Sequence, residues 1–276
     1  MKNSILRIYP VMFLALLIGF PPASTRAQEP DSMYPERIHP GPKEYALDVF
    51  IPHIWQGTKA SFAREESLIA MGAGAWATAA VHTQDEKIDD YWHAEEPLGD
   101  AAFIGDIWGE GYIQAAACLG MYGWAWHTND QRLATTAEVL TEAMIIQMLA
   151  INAIKPLVGR ERPDSQDNLS FPSGHTGAAF TMAAVIDHRY GHKWGVPLYA
   201  LALYTGLERM QDHMHYASDV TMGATIAMTV GYQTSRHHDD YPYKNAWHQE
   251  KINKISILPY SPDGKEFGLM MSMTLK

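Results

Sequence analysis

The stretch NLSFPSGHT, residues 168–176, sets a histidine directly behind a Pro-Ser-Gly turn and ahead of an apolar, helix-like run. The unpaired N–H groups of a helix start, with the helix dipole behind them, bind phosphate-like anions. Ser173 and Gly174 would present such donors, and glycine lets the backbone come close to the anion. His175 would then stand beside the anion, able to give a proton to a leaving oxygen. A plain serine cap with a surface histidine is the structural alternative.

Two further stretches hold the same kind of residue. KPLVGRERP, residues 155–163, follows a long apolar run and carries Lys155 and Arg162 seven positions apart. If the segment stays helical, that spacing puts both cations on one side. Pro156 and Gly159 make a kinked end or a loop an equal expectation, and a basic helix C-terminus would also suit the dipole. RMQDHMHYASD, residues 209–219, sets His215 and Asp219 four apart. On a helix they share a face, so the carboxylate would accept the Nδ1 proton and leave Nε2 as a nucleophile. Arg209 would supply a bidentate clamp. An ordinary surface pair on a helix is the alternative here.

Taken together, Lys-x6-Arg-Pro, Pro-Ser-Gly-His and Arg-x5-His-x3-Asp resemble the signature of the type 2 phosphatidic acid phosphatase and vanadium haloperoxidase superfamily. The resemblance implies an all-α helical bundle and a metal-independent phosphatase, without a cofactor, acting on phosphate monoesters or lipid phosphates. It implies that His215 attacks phosphorus to form a phosphohistidine, that Asp219 orients His215, and that His175 protonates the leaving group and later activates water. Lys155, Arg162 and Arg209 would hold the equatorial oxygens, with Ser173 and Gly174 adding hydrogen bonds. The family pattern has Ser before the third-motif arginine, where this chain has Glu208; a carboxylate there must point away or pair with a cation. The short gap between Pro163 and Pro172 leans toward the family's lipid-phosphate branch. A vanadate-dependent haloperoxidase, a non-specific soluble acid phosphatase and a non-catalytic envelope-binding protein are the competing functions.

These residues need elements to hold them. The 276-residue chain is 47% hydrophobic and 19% charged, enough for one filled core. Residues 1–27 read as an export signal, with Lys2 and Arg7 ahead of the apolar core VMFLALLIGF. Five prolines over residues 28–60 suggest an extended arm. Residues 61–235 form the expected helical domain of about six helices, over roughly 61–81, 100–127, 131–155, 174–190, 195–213 and 215–235, with a polar loop over 82–98. The tail, 236–276, carries a Ser-Pro-Asp-Gly turn between strand-like runs and reads as a small C-terminal β-hairpin. The uncharged runs Leu68–Val81, Gly195–Leu207 and Val220–Tyr232 are 14, 13 and 13 residues long, against about 20 for a span, so buried helices of a water-soluble bundle are expected.

The net charge of −10 becomes −13 once the leader's three cations are removed. That balance argues against nucleic acid as a partner. A phosphorylated lipid or small molecule is the expected partner, in a periplasmic or secreted setting, with membrane-surface association and homo-oligomerisation left open. Cys118, the lone cysteine, reads as a small buried apolar residue. His213, His237 and His238 fall outside the motifs and are expected to be solvated, with no ligand role. Tyr91, Trp92, Trp108, Tyr112, Trp124 and Trp126 are expected to pack, or else to line an apolar approach.

Overall fold

A computed structural model describes residues 51–128 and 130–240, together with the backbone of two segments in the tail. The expected export signal and residues 28–50 of the arm lie outside the described residues. Nine α-helices are described: α1 Ile51–Ala63, α2 Glu65–His82, α3 Asp85–Glu95, α4 Ala102–Gly109, α5 Gly111–Thr128, α6 Gln131–Val158, α7 Gly174–Tyr190, α8 His192–Gln211 and α9 Ala217–Asp240.

The expected six helices are therefore too few, for three local reasons. The last part of the expected arm is helix α1, where Pro52 sits in the first turn and lacks only an N–H that has no partner there anyway. The expected polar loop over 82–98 contains α3, whose Ile88 and Trp92, one turn apart, are buried against Met210 and Val220. The expected helix over 100–127 divides at Glu110, whose extended backbone (φ −69°, ψ 121°) separates α4 from α5.

In the tail, Ile255–Tyr260 and Gly268–Met273 run antiparallel with Ile255 opposite Met273. The expectation of a C-terminal β-hairpin as part of this fold is not supported.

Helix α7 sits centrally, packed against α6, α8 and α9, while α2 lies on α9, α4 on α8 and α5 on α6. Such contact on several sides explains its composition. Eleven of its 17 residues are buried, most of them Ala, Gly, Thr or Val. Helix α6 is held from one side by a stripe of Val139, Leu140, Ala143, Ile146 and Ile151, each at most 2% exposed. That spacing follows the 3.6-residue period. Small residues set the approach of α2 to α9: a Cβ on Gly74 would come within 2.1 Å of the Thr225 side chain.

The apolar residues are not all inside. Trp76, Leu119, Trp124, Trp126 and Leu157 are each more than 60% exposed, on α2, α5 and the end of α6. Arg132–Val158 is the one stretch among the described residues long and apolar enough to cross a membrane, and half of its most apolar window is buried. The expectation that the apolar faces are consumed within a water-soluble bundle does not hold for α2 and α5. Trp92 and Trp108 do pack in the core, whereas Tyr112, Trp124 and Trp126 face outward.

Candidate active site

The ends of four helices meet at one pole of the bundle. Lys155 is in the last turn of α6, and Gly159 (φ +61°) then reverses the chain in the left-handed conformation glycine tolerates. The loop 159–173 leads to the start of α7. The turn 212–216 joins α8 to α9, and Asp219 lies in the first turn of α9. Backbone hydrogen bonds lock these pieces together: Ser173 N donates to Asp219 O (3.0 Å) and Asp164 N to His213 O (3.1 Å). Packing is as close as it can be there, since a Cβ on Gly223 would lie 2.5 Å from Ser173 O.

Lys155, Arg162, Gly174, His175 and His215 line one cavity of about 710 Å³. Its other wall is the apolar groove between α5 and α6, including Leu119, Met144, Met148 and Ile151. Ser173, Arg209 and Asp219 stand behind this lining. Lys155 and Arg162 thus converge, but not along one helix side: Arg162 arrives from the loop after the glycine reversal.

His215 is 2% exposed and belongs to the turn, not to a helix shared with Asp219. Arg162 Nη1 lies 3.4 Å from its Nε2 and donates to Met214 O at 2.9 Å. Burial, reinforced by Lys155 and Arg162, pushes the His215 imidazole down to about 4, with Asp219 opposing. The ring is therefore neutral near pH 7, the form a nucleophile needs. The expected Nδ1–H to Asp219 bond is not formed. The separation is 3.8 Å, too long for a hydrogen bond, and Nδ1 has no hydrogen-bond partner among the described residues.

Asp219 is instead held by others. Ser170 Oγ donates to Oδ2 (2.5 Å), as does Tyr216 N (2.8 Å), and Arg160 Nη1 donates to Oδ1 (2.7 Å). Although burial pulls the other way, His215, Ser170 and Arg160 keep its carboxyl below the usual range. Arg160 also donates to Asp85 Oδ2 (2.7 Å) and to Ser218 Oγ (2.6 Å), and lies 4.1 Å from the Tyr216 ring centre. Asp85 in turn accepts from Ser218 N (3.0 Å). Sequence reasoning gave Arg160 no role and took Asp85 for loop. The only signal was a third cation in KPLVGRERP; its partner is 75 positions away.

His175 sits at the start of α7, its side chain about one-third exposed and its Nε2 3.4 Å from Glu110 Oε1. Burial and then the Arg209 charge lower its pKa, while Glu110 and Asp106 raise it. Ser173 is fully buried and caps α7: its hydroxyl pairs with that of Thr176 at 2.9 Å, and its own N–H is used by Asp219 O. The expected pair of anion donors thus reduces to the Gly174 side of the turn, where a Cβ would meet nothing within 4 Å.

Arg209, only 5% exposed, donates Nε to Glu208 Oε2 (2.6 Å) and Nη2 to Asp106 Oδ1 (2.6 Å), and it also bonds Glu208 Oε1. Glu208 is therefore neutralised by its neighbour rather than facing an anion. Burial raises its pKa to about 7 despite that pairing. At the cavity itself, burial and then Arg162 lower Lys155 to about 8, still protonated at neutral pH, and its Nζ donates to Leu169 O. Arg162 Nε donates to Asp167 Oδ1 (2.8 Å), a half-exposed carboxylate.

Of the histidines expected to be solvated, His238 is 8% exposed and donates to or accepts from Glu142 Oε2 at 2.8 Å, so that expectation is overturned. His213 pairs with Asp89 Oδ1 at 3.0 Å. Cys118 is buried, as its surroundings in the sequence suggest, and burial raises its thiol pKa.

Known proteins carry similar sequence. The profile described as PAP2 superfamily matches residues 138–241. A lipid A 1-phosphatase of Porphyromonas gingivalis is 40% identical over 84 residues, 29% of this chain and 19% of that protein. A lipid A 4'-phosphatase of Helicobacter pylori is 38% identical over 78 residues, 28% of this chain and 39% of that protein. A decaprenylphosphoryl-5-phosphoribose phosphatase of Mycobacterium tuberculosis is 35% identical over 99 residues, 32% of this chain and 53% of that protein. The similarity thus spans about a fifth to a half of these relatives.

Proposed function

We propose that the chain is a PAP2-superfamily lipid phosphate phosphatase of the cell envelope working through a phosphohistidine on His215. The observation that carries this reading is the continuity of the cavity. Lys155, Arg162, Gly174, His175 and His215 form its polar end, and the apolar groove between α5 and α6 forms the rest. A phosphate monoester on a lipid fits both ends at once, whereas a small soluble ester would leave the groove filled with water. The three relatives are named for phosphatases of lipid-linked phosphates. The exposed apolar residues of α2 and α5 would rest against the hydrocarbon of a bilayer.

In this reading the phosphate enters between Lys155 and Arg162, where its oxygens displace Leu169 O and Asp167 as partners. The Gly174 end of α7 adds its dipole. Neutral His215 attacks phosphorus through Nε2, the nitrogen on the Arg162 side. Closing the gap between Nδ1 and Asp219 stabilises the positive charge that develops on the ring. His175, protonated, gives its proton to the departing alcohol oxygen and then, neutral, takes one from the water that releases phosphate. The cations hold the charge spread over the equatorial oxygens. Arg209 acts from behind His175 by charge, its guanidinium being bound to Glu208 and Asp106.

The experiment is phosphate release from a lipid A-type monophosphate and a phosphatidate in mixed micelles, compared with p-nitrophenyl phosphate, all in chelator. The proposal expects kcat/KM for a lipid substrate at least tenfold above the soluble ester. Equal or better turnover of the soluble ester would favour a non-specific acid phosphatase.

A further inference from the structure

About 20 Å along α6 from Lys155 lies a second cluster of chemistry-bearing side chains that the reaction does not use. Glu138 and Glu142 are one turn apart on α6, His237 and His238 lie in the last turn of α9, and His53 is on α1. Glu142 is 13 residues before Lys155, which is about 20 Å along the helix. Glu138 and Glu142 are at most 2% exposed and His238 8%. Burying two carboxylates is costly unless cations or a metal compensate them.

The geometry points to a divalent metal site of the zinc type, formed by His53, Glu138, Glu142 and His238. One donor atom from each of His53, Glu138 and His238 lies within 4.8 Å of the others. His53 Nδ1 is 3.3 Å from Glu142 Oε1 and 3.9 Å from Glu138 Oε1. The edge of a tetrahedron with zinc–ligand bonds of 2.0–2.1 Å is about 3.3 Å, so one edge already has the right length and the others need a modest contraction. Glu142 Oε1, although buried, accepts no hydrogen bond among the described residues. Its near neighbour is His53 Nδ1, at 3.3 Å.

Mixed imidazole and carboxylate ligands suit zinc and its neighbours rather than magnesium or calcium. Without metal, the Glu142–His238 hydrogen bond stands in its place. The side chain of His53 is 18% exposed, which leaves an entry path. A four-protein-ligand site is closed, so its role is to staple α1 to α6 and α9 rather than to catalyse.

The test uses the full chain, stripped with chelator and then equilibrated with zinc chloride. Elemental analysis after desalting should give one zinc per chain. At a hundredfold excess over Kd, zinc should raise the thermal unfolding midpoint by about 5–10 °C. Glu142→Gln and the more exposed His53→Gln should each lose the bound zinc and the shift; if the first fails to fold, the second carries the comparison. Cobalt(II) should give the intense visible bands of a tetrahedral site in the parent chain and not in His53→Gln. Substoichiometric zinc with no thermal shift would overturn the proposal and leave the cluster a proton-sharing network. Undiminished zinc and shift in both variants would overturn it too, by putting the metal elsewhere.

Discussion

At the residue scale, two imidazoles with lowered pKa values govern the pH behaviour. His215 is the base that must be free, and burial sets it at about 4. His175 is the acid that must be protonated, and burial with Arg209 holds it below its usual 6.5. Activity should therefore rise as pH climbs through about 4 and fall again below 6.5, giving an acidic optimum in kcat/KM. Glu110 raises the His175 value. Glu110→Gln should accordingly move the falling limb to lower pH, leaving the rising limb in place; an unmoved falling limb in the pH–rate profile would count against His175 as the acid. Arg160 offers a second residue-level check. Arg160→Ala strands the buried Asp85 and Asp219 without their shared cation and should cost about 3–5 kcal/mol in denaturant unfolding. Arg160→Lys keeps the charge but cannot bridge both carboxylates, so it should fold and lose kcat with little change in KM.

At the element scale, the site depends on the α9–α7 contact. Gly223→Ala sets a methyl against Ser173 O, a backbone atom that cannot swing aside. It should destabilise by about 1–3 kcal/mol and lower kcat, because the turn that carries Gly174 and His175 must move. Calorimetry and steady-state kinetics check this together. The elements also mark where sequence reasoning stopped. The long periodic helices and the order of the three motifs were legible, since each rests on local spacing. Helix α3 was not, because its many acids hide two apolar anchors, and Asp85 is buried only through Arg160 and Ser218 far along the chain. The break at Glu110 lies between Gly109 and Gly111, a pair of helix-weakening residues that the reading of one continuous helix passed over. The His215–Asp219 spacing suggested a helical pair, but the chain turns between α8 and α9 and the carboxylate serves Arg160, Ser170 and Tyr216 N–H first. Ser173 caps α7 and its hydroxyl pairs with that of Thr176.

At the scale of the whole molecule, a net charge of −10 coexists with a cationic cup because charge acts over about 8–10 Å in physiological salt. The exposed Trp76, Trp124 and Trp126 on α2 and α5 give the outside a use. Replacing all three by Ser should reduce co-sedimentation with liposomes and slow turnover of a bilayer-embedded substrate at least severalfold. Turnover of the soluble ester should be unchanged. A loss on both substrates would mean that the tryptophans matter for folding instead.

Covalent transfer of the phosphoryl group to His215 is the central step of the proposed reaction. Acid- or base-quenched reactions with a lipid monophosphate labelled in its phosphate would settle it. The expected result is an acid-labile, base-stable label on His215, formed faster than phosphate is released and absent in His215→Ala, which should turn over at least about a thousandfold more slowly. Steady phosphate release with no label on the protein, or an undiminished rate in His215→Ala, would contradict it.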